Sequence, residues 1–238
     1  MISIIIPNYN TDIYFFKQCI DSIVQQTFQD FEIIFVDNGS SENNLIFYRE
    51  YLNKLNKDVK FLVCERQRNK KNLSIALNMG ITNSKYDFIA RMDADDVMVC
   101  DRLEKQIKYL MNNPQVDILG GQLEYMHDAS ITNHPLIITN DIPINSIWFI
   151  NHPSVMFKKD KIVQIGSYKE EPEFIAEDYE LWTRSIKNNL VIHNLNDVII
   201  KYRLHNSNLT FKDKSNPYYE ILLDYIRKGY IQYCMETK

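Results

Sequence analysis

Glycine is scarce in this chain, with 6 in 238 residues, and the scarcity excludes whole classes of function. No GxGxxG turn follows the first apolar run, so a dinucleotide-dependent oxidoreductase of that design is ruled out. A glycine-rich, basic phosphate loop near the N-terminus is missing too, which counts against nucleotidyl transfer onto a sugar phosphate. The few glycines present are each expected to answer a backbone need. Cysteine is sparse and scattered. Cys19, Cys64, Cys100 and Cys234 form no CxxC pair, so neither a zinc ribbon nor a dithiol redox motif is suggested, and the setting reads as reducing and cytoplasmic. Long apolar runs are lacking, because the run Ile2 to Ile6 meets Pro7 far too early for a membrane span or a signal core. Basic excess is lacking as well. With 27 Lys and Arg against 31 Asp and Glu the net charge is −4, and a nucleic-acid binder needs a phosphate-neutralising face that this balance does not offer. What remains is the composition of a soluble globular chain, 45% hydrophobic and 24% charged, long enough for one large α/β core.

The order of elements is the next signal. Ile2 to Ile6 is a β-branched, continuously apolar run that reads as a strand buried on both faces, closed by Pro7, Asn8, Tyr9 and Asn10. Thr11 and Asp12 offer N-caps to a helix through Phe16, Cys19, Ile20, Ile23 and Val24. The unit repeats with a strand at Phe31 to Val36 ending in Asp37-Asn38-Gly39-Ser40-Ser41, a helix through Leu45, Tyr48 and Leu52, and a strand at Val59 to Val63. A helix at Leu73 to Ile81 and a strand at Tyr86 to Ala90 follow, the latter running into Arg91-Met92-Asp93-Ala94-Asp95-Asp96. Such alternation predicts a doubly wound parallel sheet, in which ligands bind at the carboxyl ends of strands. The polar clusters at 8–10, 37–41 and 93–96 all lie at such ends, so they are expected to converge in one crevice. Beyond Asp96 the pattern loosens. It predicts a helix at Asp101 to Leu110, a short strand at Val116 to Leu119 ahead of Gly120-Gly121, a strand at Val155 to Phe157 and a helix at Asp178 to Ile186. Separate edge or hairpin strands are expected at Val191 to Ile192 and Val198 to Tyr202, and a terminal helix at Tyr218 to Tyr233.

Asp93, Asp95 and Asp96 crowd three carboxylates into four positions, which costs repulsion unless a cation sits among them. Oxygen ligands favour Mg²⁺ or Mn²⁺, ions that complete their shells with substrate phosphates and water, and so point to a nucleoside-diphosphate ligand. Two other readings fit the same residues: a solvated acidic turn capping the helix near Asp101, or the nucleophile loop of haloacid-dehalogenase-like phosphatases. The second is disfavoured by position, since that family carries its motif on the first strand.

Further clusters accompany these: Arg102-Leu103-Glu104-Lys105-Gln106, His152-Pro153-Ser154-Val155-Met156, Glu177-Asp178-Tyr179-Glu180-Leu181-Trp182 and Tyr202-Arg203-Leu204-His205. Together with Ile4-Ile5-Ile6-Pro7-Asn8-Tyr9-Asn10, Val36-Asp37-Asn38-Gly39-Ser40-Ser41 and the acidic cluster, the chain resembles glycosyltransferase family 2 over about residues 1 to 210. The resemblance implies a GT-A fold, an α/β architecture whose Rossmann-like, mainly parallel central sheet is flanked by helices, with a C-terminal helix. Its implied organisation is one domain at 1–210, divided into a nucleotide-binding half (1–98) and an acceptor-binding half (99–210), followed by a helical extension at 211–238. The implied activity is inverting transfer from a UDP-sugar to a hydroxyl of a glycan, glycolipid or glycoprotein, dependent on Mn²⁺ or Mg²⁺. A catalytically idle sugar-nucleotide binder of the same fold is the alternative.

Carried over residue by residue, the turn at Pro7 and Tyr9 resembles the family's uracil pocket, with Tyr9 as a stacking ring or else a core residue. Asp37 resembles the acid that accepts from uracil or ribose; as an Asx-turn residue before Gly39 it can do both. Asp93, with Ala94 beside it, looks like the ribose-side member of the DxD pair, Asp95 like the metal ligand, and Asp96 like a brace of the loop. Arg91 either pairs with this group or reaches a phosphate. His205 resembles the histidine that completes the metal shell, or is an ordinary surface histidine. Asp178 occupies the position of the family's general base, paired with Glu177; the plainer reading is that both complement the helix macrodipole, which would lower their pKa. Trp182, one turn on, is a candidate acceptor-stacking ring or a core residue, and His152 a shaper of the acceptor-side loop. The chain departs from the family at Lys70-Lys71-Asn72, where Asn-x-Gly is common, leaving Lys71 or Arg68 as candidate diphosphate contacts. The terminal helix is expected to dock on the domain or on a second copy, which makes a homodimer one expected arrangement.

Overall fold

A computed structural model describes residues 1–64, 73–127, 129–138, 149–170 and 176–205. The expected terminal helix and extension, together with Arg68 and Lys71, lie outside the described residues. The elements are β1 (Ile2–Asn8), α1 (Ile13–Val24), β2 (Phe31–Asp37), α2 (Glu42–Leu52), β3 (Asp58–Val63), α3 (Leu73–Asn83), β4 (Phe88–Arg91), β5 (Val97–Met98), α4 (Arg102–Asn112), β6 (Ile118–Tyr125), β7 (Ile137–Ile138), β8 (Met156–Lys158), α5 (Lys159–Gln164), α6 (Glu177–Lys187) and β9 (Ile192–Tyr202). Among the described residues no helix is long and apolar enough to cross a membrane.

Among the described residues the strands form one sheet in the order β3-β2-β1-β4-β8-β6-β9-β5, with β7 joined to β9. The first four in that order are parallel, as βαβ units require, and β8 then enters antiparallel between β4 and β6. Strand residues alternate faces, and the apolar runs are therefore divided between two cores. Ile2, Ile4 and Ile6 of β1 join Ile33 and Phe35 of β2 beneath α1, α2 and α4, whereas Ile5, Ile34 and Val36 face α3 and α6. That double burial is why β1 and β2 read as unbroken hydrophobic runs instead of alternating ones.

Of the boundaries that differ from the sequence expectation, three have a clear local cause. First, β1 continues through Pro7 to Asn8. The β4 ladder last pairs Ile5 with Arg91, so the missing proline N–H falls where that neighbour has already left, while Asn8 O still accepts from Asn38 N. Second, β6 does not stop before Gly120-Gly121 but runs through both. Third, Ile192–Tyr202 is one long strand beside β6, not two short ones: an irregularity in register near Gly120 to Gln122, opposite exposed Asn196 and Asp197, interrupts the hydrophobic pattern without ending the strand.

Gly120 is required by close approach. A methyl group there would stand 2.6 Å from Ile150 Cγ1 and also press on the Asn194 side chain. Gly120→Ala is expected to destabilise the protein by about 1–3 kcal/mol, the usual cost of overpacking, and thermal denaturation of the variant beside the parent checks it.

Candidate active site

The ends of β1 and β2 are knitted together by Asp37. This carboxylate is fully buried: Oδ2 accepts from the amides of Gly39 (3.0 Å) and Ser40 (2.8 Å), while Oδ1 accepts from Asn8 Nδ2 (2.9 Å) and Ser40 Oγ (2.5 Å). Four donors use the capacity of both oxygens. Asp37 thus shapes the turn through both oxygens, and a nucleobase donor reaching it would share an oxygen with, or displace, Asn8 or the Ser40 hydroxyl. Gly39 takes φ +82°, which this turn demands. Pro7 lies within β1, and Tyr9, just past it, is 48% exposed, a ring on the surface and not in the core.

The acidic turn lies at the end of β4, next to β1. Arg91, nearly buried, grips Asp93 with both ends of its guanidinium, at 2.6 Å to Oδ2 and 2.5 Å to Oδ1, so of the two roles left open for it the structure has it paired. Ala94 packs its methyl group into the core. Asp95 Oδ2 meets His205 Nε2 at 2.8 Å. Asp96 is fully buried; its Oδ1 accepts from the Arg203 amide (2.9 Å), but its Oδ2 has no hydrogen-bond partner among the described residues. Burial pushes the carboxyls of Asp93 and Asp96 upward, Asp96 the further, with the neighbouring carboxylates adding to it and Arg91 opposing. Oxygens of Asp93, Asp95 and Asp96 lie within 4.8 Å of one another. A buried carboxylate oxygen without a donor, two companion carboxylates and an adjoining imidazole make an oxygen-rich set that fits Mn²⁺ or Mg²⁺. The turn does not cap α4, since β5 intervenes and Asp101 instead pairs with Lys105 at 3.0 Å.

Helix α1, N-capped by Asp12 as expected, runs beside this turn and holds it at successive helical turns. Gln18 Oε1 accepts from Arg203 Nη2 (2.6 Å), Cys19 Sγ donates to Asp93 O (3.2 Å) and Ser22 Oγ accepts from Met98 N (3.0 Å), while just past the helix C-terminus Gln26 Nε2 donates to Val99 O (2.8 Å). From α4, fully buried Arg102 donates to the carbonyls of Arg91 (2.8 Å), Pro153 (3.0 Å) and Val155 (3.2 Å). Burial, reinforced by Arg91, lowers the Arg102 pKa to about 9, so it stays charged at neutral pH. Neither role is evident from sequence, because arginine is seldom fully buried and a lone cysteine carries no motif.

The opposite wall is built by α6. Asp178 follows its first residue, and Oδ1 accepts from the Tyr179 amide at 2.8 Å. The helix-terminus reading predicts a lowered pKa, but burial outweighs it and raises the carboxyl above its ordinary value, with the backbone donors and Arg91 pulling the other way. Glu177 Oε1 stands 4.0 Å from His152 Nδ1, and His152 Nε2 bonds the Tyr168 hydroxyl at 2.8 Å. Burial keeps this imidazole neutral. Tyr168 is in turn clamped by Asn78, which donates to its carbonyl (2.9 Å) and accepts from its amide (3.0 Å). Trp182 is 1% exposed and packs edge-on to His152, so of its two readings the core one holds: its ring faces are enclosed and present nothing to an acceptor.

The family model described as Glycosyl transferase family 2 matches residues 3–168. The O-antigen biosynthesis glycosyltransferase WbnJ of Escherichia coli is 36% identical over 212 residues, covering 87% of this chain and 80% of WbnJ. The E. coli UDP-Gal:alpha-D-GlcNAc-diphosphoundecaprenol beta-1,3-galactosyltransferase is 30% identical, with 79% of this chain and 68% of that protein covered. In fold, the S. aureus TarS 1-349 structure in complex with UDP-GlcNAc superposes with a TM-score of 0.73 at 17% identity, covering 98% of this chain and 72% of that one.

The buried, half-satisfied Asp96 carboxylate is a cost to the metal-free protein. Asp96→Asn keeps an acceptor for the Arg203 amide and removes a carboxyl whose ionised form burial and its neighbours penalise, so it is expected to stabilise the metal-free chain by about 1–3 kcal/mol at neutral pH. Chemical denaturation in the presence of a chelator reads this directly; a loss of stability would count against the strain assigned to this oxygen.

Proposed function

This chain belongs to glycosyl transferase family 2 and is a glycosyltransferase, and we propose that it is an inverting, divalent-metal-dependent enzyme that moves a sugar from a UDP-sugar to a hydroxyl of a glycan, glycolipid or glycoprotein. The observation that carries the proposal is the cluster of Asp93, Asp95 and Asp96 around the unpartnered Asp96 oxygen, with His205 against Asp95, at the carboxyl end of a parallel strand. UDP as the leaving group draws support from the UDP-Gal named for one relative and the UDP-GlcNAc named for the TarS complex.

Asp95, Asp96 and His205 would hold the cation, which when bound supplies positive charge to the diphosphate as it departs. Arg91 fixes Asp93 bidentately, leaving that carboxylate oriented for the ribose side of the nucleotide. Exposed Tyr9 supplies a stacking face for uracil, in a turn whose shape Asp37 sets. Asp178 is the general base: as the acceptor oxygen forms its bond to C1, the C1–O bond to UDP breaks with its electron pair leaving on the diphosphate, and the acceptor's proton passes to Asp178. Its raised pKa makes it a better proton acceptor than an exposed aspartate. A single displacement of this kind inverts the anomeric centre. The β linkage named for the galactosyltransferase relative is what one inversion of an α-linked UDP-sugar yields.

UDP with Mn²⁺ is expected to raise the melting temperature, by the equivalent of about 2.7 kcal/mol at 100 times the dissociation constant, and Asp95→Ala to abolish that rise. No shift with any nucleoside diphosphate would sink the nucleotide-binding reading. Asp178→Asn is expected to keep the UDP–Mn²⁺ shift while transfer falls about 100-fold or more; normal turnover by that variant would remove Asp178 from the mechanism.

A further inference from the structure

Arg203 follows the end of β9, far from the acidic turn in sequence, yet its contacts converge on that turn from two sides. Its backbone amide donates to Asp96 Oδ1 (2.9 Å) and its Nε to the carbonyl of Asp95 (2.7 Å). Its Nη2 donates to Gln18 Oε1 on α1 (2.6 Å), and its guanidinium lies 4.2 Å from the centre of the Phe15 ring. Two residues on, His205 meets Asp95 Oδ2 and packs its ring 5.4 Å from Phe15. The side chain is 4% exposed, so these contacts are made out of water, where each is worth more than at the surface.

We propose that Arg203 is a positioning residue for the divalent cation, fixing the Asp95–Asp96 backbone to helix α1 so that the carboxylates and His205 keep the spacing an ion requires; the inference rests on the metal-dependent reading above. The physical reason is that mutually repelling ligands move apart unless the backbone behind them is held. Small octahedral ions tolerate little error in ligand position. Arg203 does not have to touch the ion. It fixes the carbonyl of one ligand residue and the carboxylate of the next, and passes that constraint to a helix already bonded to Asp93 through Cys19. Lysine cannot replace it, because one ammonium lacks the fork that reaches Asp95 O and Gln18 together.

The test is titration calorimetry of Mn²⁺ into the full chain with saturating UDP, for the parent, Arg203→Lys, Arg203→Gln and Gln18→Leu, with ligand-free thermal unfolding of each. Mn²⁺ is expected to bind about ten-fold or more weakly to both Arg203 variants, and Gln18→Leu to fall between them and the parent. Discrimination of Mn²⁺ over the larger Ca²⁺ should narrow in the same order. A lower melting temperature with Mn²⁺ affinity and Ca²⁺ discrimination within two-fold of the parent would reduce Arg203 to a structural brace and overturn the proposal. Should the Arg203 variants not fold, Gln18→Leu decides, and unchanged Mn²⁺ affinity in it overturns the proposal. A parent chain that takes up no Mn²⁺ with UDP sinks the metal-dependent reading itself and this inference with it, an outcome separate from any difference among variants.

Discussion

Like charge gathered at one strand end is the constraint around which this structure is arranged. Asp93, Asp95 and Asp96 sit within a few ångströms of one another, partly or wholly out of water, where their repulsion is strongest. Three arginines from three different parts of the chain answer it, each in its own way. Arg91 on β4 takes one carboxylate bidentately. Arg102 on α4 carries its charge beneath the turn and spends its hydrogen bonds on backbone carbonyls. Arg203, beyond β9, holds the backbone that joins the other two acids. The balance is incomplete, because one oxygen of Asp96 is left without a donor. A site that is fully neutralised by its own protein has no use for a cation; this one retains the deficit that a cation would meet.

Arg91 also ties the two halves of the site electrostatically. It lowers the pKa of Asp178 across the crevice while Asp93 raises it, and Tyr168 lies in the same field. Charge brought to the Arg91–Asp93 pair therefore bears on the acidity of Asp178. A hydrogen-bonded chain runs from Asn78 through Tyr168 to His152, which packs edge-on to Trp182 of α6.

The sequence made the first half of the fold legible, because βαβ units write themselves as buried β-branched runs alternating with helical periodicity. The adjacency of the carboxyl ends of β2, β1 and β4 followed from the same rule. The later strands were harder. β9 is interrupted by polar Asn196 and Asp197 at an irregularity in register, so its hydrophobic pattern splits in two although its backbone does not. Ligand-type residues were visible by kind, but not their state. Composition could not reveal that Asp37 has both oxygens occupied, that Trp182 is enclosed, or that burial overrides the helix terminus at Asp178. Arg102 and Cys19 were invisible as supports because their partners are main-chain carbonyls, which leave no trace in side-chain identity.

The bonds that finish the acidic turn join positions very far apart, 107 residues for Arg203 with Asp96 and 185 for Arg203 with Gln18. Contacts of such sequence separation form late, since loop-closure entropy must be met before they are rewarded. During synthesis on the ribosome, β1, α1 and the acidic segment emerge long before the residue that locks them together. The acidic turn thus waits, through the synthesis of a further 107 residues, for the amide that binds Asp96, and the spacing of its carboxylates is fixed among the last events of folding.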